Sequence, residues 1–162
     1  MKLYILRHGE AGFSSGSDQD RVLTAKGIAE IQFLGAYLKQ QYFNPRVTLV
    51  SPYERTQQTF RHLNNHASLD QTSLIAEQLT PDSSTKQVIA LLKEHQLHES
   101  ILLISHQPLV SCLISSLVTA SKNQAVQFSM MPGSFAALTL HEIAQGCAEC
   151  NFIKHPPFYD NQ

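Results

Sequence analysis

The sequence has no long apolar run, no excess of one charge and few cysteines. No apolar stretch in the 162 residues approaches the roughly 20 residues that a membrane span needs. The amino terminus lacks the basic segment, apolar segment and small-residue cleavage site of an export signal. A formal net charge of −1 gives no bulk attraction to nucleic acid or anionic lipid. Because three cysteines are too few for a disulfide scaffold, we expect a reduced, cytoplasmic protein with no nucleic-acid or membrane partner.

Internal repeats, low-complexity tracts and interdomain linkers are also absent. We therefore predict a single domain over residues 1–162 that acts as a monomer. Predicted strands alternate with predicted helices. The strands are 2–7, 47–50, 72–76 and 101–104, with two closing strands at 134–140 and 151–154 around a turn at Gly146. The helices are 24–42, 51–66, 83–95 and 108–118.

This alternation predicts an α/β fold, a three-layer α/β/α sandwich with a mostly parallel central sheet. Thr24 is the predicted cap of the first helix. Pro52 is the predicted first residue of the second helix, which places Arg55 one turn inside it. The apolar face of the first helix is predicted to consist of Ile28, Ile31, Leu34, Ala36 and Leu38.

Charged and imidazole side chains follow three of the predicted strands. The first strand ends in Arg7, His8 and Gly9, the second is followed by Arg55, and the fourth ends at His106. Ligands of open α/β sheets bind outside the carboxyl ends of the strands. We therefore expect two arginines and two histidines to converge on one crevice, provided that the chain bends at Gly9.

That set of side chains fits a phosphoryl group. A phosphoryl group in transfer spreads negative charge over three oxygens, and arginine binds two such oxygens at once. A neutral histidine is a nucleophile for phosphorus, and a second histidine, if protonated, adds a donor. Backbone N–H groups after His8 and near Pro52 are expected to add more donors.

Three segments in this order resemble the histidine phosphatase superfamily, the phosphoglycerate-mutase-like group. They are "LRHGEA", "VSPYERTQQT" and "LLISHQP", and "DRVLTAKG" and "LTP" extend the resemblance over most of the chain. Within that superfamily the chain is most similar to the SixA-type phosphohistidine phosphatases. The resemblance implies that His8 is the phosphorylated nucleophile. It also implies that Arg7, Arg55 and His106 form the phosphate pocket.

Larger members of the family insert a helical lid and carry an acidic proton donor after the third strand. Here the segment from Ala76 to Ser84 is too short for a lid, and Glu77 lies near the expected position of the donor. An alkoxide leaving group needs that proton. A phosphohistidine leaves as neutral imidazole when its other ring nitrogen is protonated, which happens near physiological pH. Glu77 is therefore either a proton donor or an exposed loop carboxylate.

We accordingly predict a phosphohistidine phosphatase of signal transduction. Its substrate would be a phosphorylated histidine-containing signalling or phosphocarrier protein, and it would need no cofactor and no metal because arginines supply the charge. The alternative is a small-molecule phosphomonoesterase or mutase that uses the same site and a working Glu77. A third hypothesis is a module that binds phosphorylated proteins without turnover, against which the intact His8 argues.

Other polar residues allow two interpretations each. Arg21 either binds an anionic substrate or pairs with Asp18 or Asp20. The "CAEC" segment at residues 147–150 has the spacing of a redox or zinc half-site. No second pair completes a zinc site, so small apolar packing is the favoured interpretation. His62 and His66 are four apart on a predicted helix and more often mark a solvated face.

Overall fold

A computed structural model describes residues 1–13, 16–69 and 73–157 of the chain. Within them, six strands form one sheet in the order β3-β2-β4-β1-β5-β6. The strands are β1 (Lys2–Arg7), β2 (Val47–Val50), β3 (Ser73–Ile75), β4 (Ser100–Ser105), β5 (Phe135–Leu140) and β6 (Ala148–Lys154). The pairs among β1 to β4 are parallel, and β5 and β6 pair antiparallel. The mostly parallel sheet is therefore confirmed.

Helices cover both faces of the sheet, as the sandwich prediction requires. They are α1 (Ala25–Gln40), α2 (Glu54–Ala67), α3 (Thr85–Glu94) and α4 (Leu109–Thr119). One buried cluster joins α1 and α2 to the sheet, and a second joins α3 and α4 to its other face. No helix in the described residues has both the length and the apolar character to cross a membrane.

The start of α2 differs from the prediction. Tyr53 is its N-cap in an extended conformation (φ −66°, ψ 139°), so Pro52 precedes the helix. The side chains of Thr56 and Gln57 donate to the Ser51 carbonyl at 2.8 and 2.7 Å. These side chains provide the hydrogen bonds of the Ser51 carbonyl, which therefore needs no helical backbone partner. The helix begins at Glu54, and Arg55 is its second residue.

The N-cap of α1 is as predicted, but its buried face is not. The Thr24 hydroxyl accepts from the Gly27 backbone N–H at 3.0 Å. Ala36 is exposed, whereas Gly35 is buried. A Cβ on Gly35 would lie 2.7 Å from the Leu63 carbonyl oxygen. The close approach of α1 to α2 therefore needs glycine at that position, and the next residue faces outward.

The remaining elements agree with the predicted ones to within a few residues. The third strand runs over Ser73–Ile75, and predicted residue Thr72 lies outside the described residues. Gly146, with φ +71°, lies in the turn between β5 and β6 as expected. Three 3₁₀ segments were not predicted: Asp18–Asp20, Glu77–Leu79 and Lys122–Phe128. Two of them line the functional edge of the sheet.

Strand register explains how distant residues come to share that edge. Arg7 pairs with Ser105 across β1 and β4, and Val50 pairs with Ile104 across β2 and β4. The next residues along the chain are His8, His106 and Ser51. They therefore leave the sheet at one level, at the carboxyl ends of three adjacent parallel strands.

Candidate active site

His8 follows β1 and is only 7% exposed. Its Nδ1 lies 2.7 Å from the Gly9 carbonyl oxygen. A carbonyl only accepts, so Nδ1 carries the proton and Nε2 presents its lone pair. The Nε–H of Arg55 donates to that Nε2 at 3.3 Å. The ring is thus held with its Nε2 lone pair beside a guanidinium.

The pKa of His8 is lowered to about 4, mainly by burial and also by the charges of Arg55, Arg7 and Arg21, against the opposing effect of the Gly9 hydrogen bond. Desolvation disfavours the imidazolium form. At neutral pH the ring is therefore uncharged, which is the state in which a histidine attacks phosphorus.

Glycine is needed at position 9 because the backbone there is closely packed, and not because of an unusual backbone angle. A Cβ there would lie 3.0 Å from Ile31 Cγ1 and 3.1 Å from the Gly27 carbonyl oxygen. Its N–H donates to the Thr59 hydroxyl at 3.1 Å. The first backbone N–H after His8 is therefore already engaged, contrary to the expectation that it is free for a phosphate.

Arg7 is the last residue of β1. Its Nη1 donates to the Met130 carbonyl at 2.7 Å, while its buried Nε has no hydrogen-bond partner within the described part of the chain. An unpartnered buried donor is uncommon in a native structure. Here it provides a fixed guanidinium with one N–H still available to an acceptor.

His106 follows β4 and is 1% exposed. Its ring centroid lies 5.1 Å from that of His8, with the two planes at 56°. Burial lowers its pKa to about 2, and the charges of His8 and Arg55 act in the same direction. His106 is therefore neutral at physiological pH and does not provide the positively charged donor that the sequence analysis considered.

Ser51 supplies another way for His106 to act as a donor. The fully buried Ser51 hydroxyl lies 2.8 Å from His106 Nε2, and His106 Nδ1 has no partner among the described residues. A hydroxyl that donates to Nε2 leaves the ring proton on Nδ1. In that tautomer the neutral ring still offers one buried N–H donor.

Arg55 is 4% exposed, and each of its three guanidinium nitrogens donates a hydrogen bond. Besides His8, it donates through Nη1 to the Asp18 backbone carbonyl at 2.6 Å and through Nη2 to the Asp18 carboxylate at 2.9 Å. Its guanidinium carbon lies 4.9 Å from the centroid of the Tyr53 ring. The fork is thus fixed in one orientation before any ligand arrives.

Comparison with known proteins agrees with this geometry. Residues 3–79 match the family model of the histidine phosphatase superfamily (branch 1). The chain is 31% identical over 148 residues to the phosphohistidine phosphatase SixA of Escherichia coli (strain K12), covering 90% of this chain and 89% of the relative. The chain belongs to the histidine phosphatase superfamily. It is therefore a phosphatase, a hydrolase.

Two further relatives extend the comparison. A SixA homolog of Haemophilus influenzae is 35% identical over 127 residues, covering 72% of this chain and 77% of the relative. The solved structure of the protein histidine phosphatase SixA complexed with tungstate superposes with a TM-score of 0.85. It is 30% identical and covers 96% of this chain and 97% of that one.

In this histidine phosphatase, the four residues that the sequence grouped lie together. Arg55 contacts His8, His8 packs beside His106, and Arg7 directly precedes His8 in the chain. These residues, with Ser51, are called the floor below. His8, Ser51, Arg55 and His106 are almost fully buried and Arg7 is half-buried. Their separation from water strengthens electrostatic interactions with a bound anion.

Arg21 pairs with Asp18, which was one of the two interpretations of the sequence. Its Nη1 lies 3.1 Å from the Asp18 carboxylate. Its Nε and Nη2 donate to the carbonyls of Gly12 and Ala11 at 2.8 and 3.2 Å. In this arrangement Arg21 holds the loop together, although its charge still acts on the pKa of His8.

Glu77 opens the 3₁₀ turn Glu77–Leu79 and is exposed. The Ser105 hydroxyl donates to the Leu79 carbonyl at 2.7 Å, which ties this turn to the end of β4. Within the described residues, the Glu77 carboxylate forms no hydrogen bond or ion pair with a floor residue. Its position near the edge is as predicted, and its role stays a prediction.

Sequence reasoning did not identify two contributors to the site. Ser51 directly follows β2 as His8 follows β1, so the rule that grouped the residues after the strands would have found it. Asp18 was considered only as a partner of Arg21. Its contact with Arg55 spans 37 positions of the chain, and no local pattern indicates it.

The other polar pairs carry no metal site that the structure supports. Cys147 and Cys150 are free thiols, and burial raises the pKa of Cys150. His66 Nδ1 lies 3.1 Å from the His62 carbonyl oxygen, a contact within the helix. Across residues 1–13, 16–69 and 73–157, no three His, Cys, Asp or Glu side chains cluster as metal ligands would.

Proposed function

We propose that this phosphatase is a phosphohistidine phosphatase that acts on a histidine-phosphotransfer or phosphocarrier protein. The observation that carries the proposal is the neutral His8 ring, whose Nε2 lone pair lies beside Arg55. The likeness to SixA over 90% of the chain supports the same substrate class. The exposed Glu77, whose carboxylate forms no hydrogen bond or ion pair with a floor residue among those described, fits a leaving group that needs no strong acid catalyst.

In the proposed reaction, His8 Nε2 attacks phosphorus in line with the bond to the substrate ring. That P–N bond breaks and its electron pair passes to the substrate nitrogen, which leaves as neutral imidazole if the other ring nitrogen is protonated. Water then attacks phospho-His8, releases inorganic phosphate and returns the lone pair to Nε2. Arg7, Arg55 and His106 stabilise the negative charge in both transition states.

The proposal includes the organisation of the protein. Residues 1–162 act as one histidine-phosphatase domain, since strands from Lys2 to Lys154 belong to one sheet. The domain works as a monomer in signal transduction and uses no cofactor or metal, because its arginines provide the positive charge. The segment from Ala76 to Ser84, too short for a helical lid, suits a phosphohistidine that protrudes from a folded partner.

Phosphate release with several substrates tests the proposal. The wild type should release phosphate from a phosphohistidine-containing protein faster than from phosphoserine or a sugar phosphate, and a chelator should not change the rate. His8→Ala should release no phosphate from any of these substrates. His98→Ala, which replaces an exposed histidine, is the matched control and should behave as the wild type. Faster turnover of the sugar phosphate would favour the phosphomonoesterase alternative. Binding of phosphohistidine protein without release would favour a binding module.

A further inference from the structure

Asp18 brings a second carboxylate to the mouth of the site. It bonds both terminal nitrogens of Arg55, one through its carboxylate and one through its backbone carbonyl. The Asp18 side chain is 56% exposed, whereas Arg55 is 4% exposed. The Asp18 side chain therefore lies between the buried guanidinium and solvent.

This carboxylate is anchored and ionised. One oxygen is bonded by Arg21 and the other by Arg55, at 3.1 and 2.9 Å. These hydrogen bonds lower the pKa of Asp18 against the opposing effect of desolvation. An ionised carboxylate accepts hydrogen bonds but has no proton to give. Asp18 is therefore suited to recognition of a donor and not to general acid catalysis.

Its charge discriminates between leaving groups. A phosphoryl group on Arg55 shares that guanidinium with the Asp18 carboxylate, and two anions so close repel each other. A plain ester or free phosphate carries no positive group of its own that could bind the Asp18 carboxylate and offset this repulsion. A phosphohistidine with its distal ring nitrogen protonated carries a positive N–H group beside the phosphoryl group, and an anionic acceptor binds that group favourably.

We propose that Asp18 is a specificity-determining residue, which accepts the distal N–H of the phosphohistidine ring and disfavours phosphate esters. The inference rests on the proposed function. The proton stays on the substrate ring throughout, the P–N bond breaks with its electron pair on the other ring nitrogen, and neutral imidazole leaves. Asp18 remains a carboxylate in every step.

Asp18→Asn tests this by opposite effects on two substrates. It retains the side-chain shape and the backbone carbonyl bond to Arg55, and it removes the negative charge. We expect kcat/KM on phosphohistidine to fall about tenfold or more, the effect of losing one charge-assisted hydrogen bond. The kcat/KM for p-nitrophenyl phosphate should stay unchanged or rise. Asp20→Asn, in the same turn and bonded to Ser17, should change neither value.

Tungstate and inorganic phosphate provide a binding test that does not depend on turnover. If Asp18 repels anions, Asp18→Asn should bind both several-fold more tightly by calorimetry. If Asp18 only holds Arg55 in place, the variant should bind both more weakly and lose both activities equally, which would overturn the inference. Thermal unfolding shows whether the variant is folded, and Asp18→Ser provides a second uncharged replacement.

The two proposals fail in different ways. A wild type that leaves phosphohistidine intact would overturn the proposed function and this inference together. A wild type that is active on phosphohistidine, with the same substrate preference in Asp18→Asn, would overturn the role of Asp18 alone.

Discussion

The floor of the site and its rim are built from different parts of the fold. Three floor residues, His8, Ser51 and His106, directly follow parallel strands and are almost fully buried, while Arg7 ends β1 and Arg55 lies in the first turn of α2. The rim consists of Asp18, Arg21 and Glu77, which lie in or beside short 3₁₀ turns and are partly or fully exposed. The floor is held by the sheet, whereas the rim is held by side-chain contacts.

This difference between floor and rim suggests a division between catalysis and substrate selection. Burial keeps both histidines of the floor neutral, and fixed guanidiniums surround them, an arrangement that suits transfer of any phosphoryl group. In the proposed function, the rim carries the groups that would meet the rest of a substrate. Changes to the floor should therefore lower activity on every substrate, and changes to the rim should alter the preference among substrates.

The largest expected effect is that of His8→Ala on the floor. The variant should lose turnover by at least about 10⁴-fold on every substrate, because the residue that accepts the phosphoryl group is removed. Acid-labile, alkali-stable phosphate should appear on the wild type during turnover and be absent from the variant. Appreciable residual activity would show that the covalent mechanism is wrong.

Arg55→Lys should have the next largest effect. Lysine offers a point charge instead of a planar fork, and it cannot bond His8 and Asp18 at the same time as Arg55 does. We expect the turnover number to fall by about 10²-fold or more, with a smaller change in substrate affinity. Arg61→Lys, an exposed arginine on the same helix, is the control. A near-normal turnover number would place Arg55 outside the phosphate pocket.

Residues such as His8 and His106 could be grouped from sequence because strand order and handedness bring strand ends to one edge. The strands were identifiable from short apolar runs, and each ended in a distinctive polar residue. Where α2 begins could not be predicted, because it depends on the bonds of Thr56 and Gln57 to Ser51. The exposure of Ala36 likewise depends on how closely α1 approaches α2.

The rim was less predictable for a similar reason. The segment before Arg21 is rich in serine, glycine and aspartate, which indicates a loop but not its course. The position of Asp18 results from its contact with Arg55 on a distant helix. Such a contact follows from the assembled fold and has no signature in local spacing. Its consequence for function could therefore be read only from the structure.

Acid should destabilise the folded protein through the two buried histidines of the floor. His8 and His106 have lowered pKa values, about 4 and about 2, in the folded protein, whereas an unfolded histidine titrates near 6.5. Below about pH 6.5 the unfolded chain thus binds more protons, so stability is highest above that pH and falls toward pH 4. Each histidine contributes up to about 1.4 kcal/mol per pH unit.

Urea unfolding of His106→Gln and the wild type between pH 7 and pH 4.5 measures this loss. The variant should show the shallower dependence, and His98→Gln, which replaces an exposed histidine, should match the wild type. Equal slopes for all three proteins would mean that His106 titrates normally in the folded state.

Ser51→Ala should have a moderate effect, since Ser51 positions His106 without touching the reacting atoms. Without this hydroxyl, the ring proton of His106 is no longer confined to one nitrogen. We expect turnover to fall about tenfold, the effect of losing one hydrogen bond. Nitrogen NMR shifts should show the ring proton on Nδ1 in the wild type and a mixture in the variant. Ser116→Ala, a buried serine on α4, should leave both unchanged. A proton on Nε2 in the wild type would contradict this role.

Glu77→Gln on the rim should have the smallest effect. A departing phosphohistidine ring is protonated from solvent before cleavage, so the loss on that substrate should be well under the roughly 10²-fold expected for a working general acid. Any weak activity on an alkyl phosphate should fall further, because an alkoxide still needs a proton. The measurement is the turnover number of both proteins on both substrates across neutral pH. A large loss on phosphohistidine would make Glu77 the catalytic acid, and the rim would then take part in the chemistry as well as in selection.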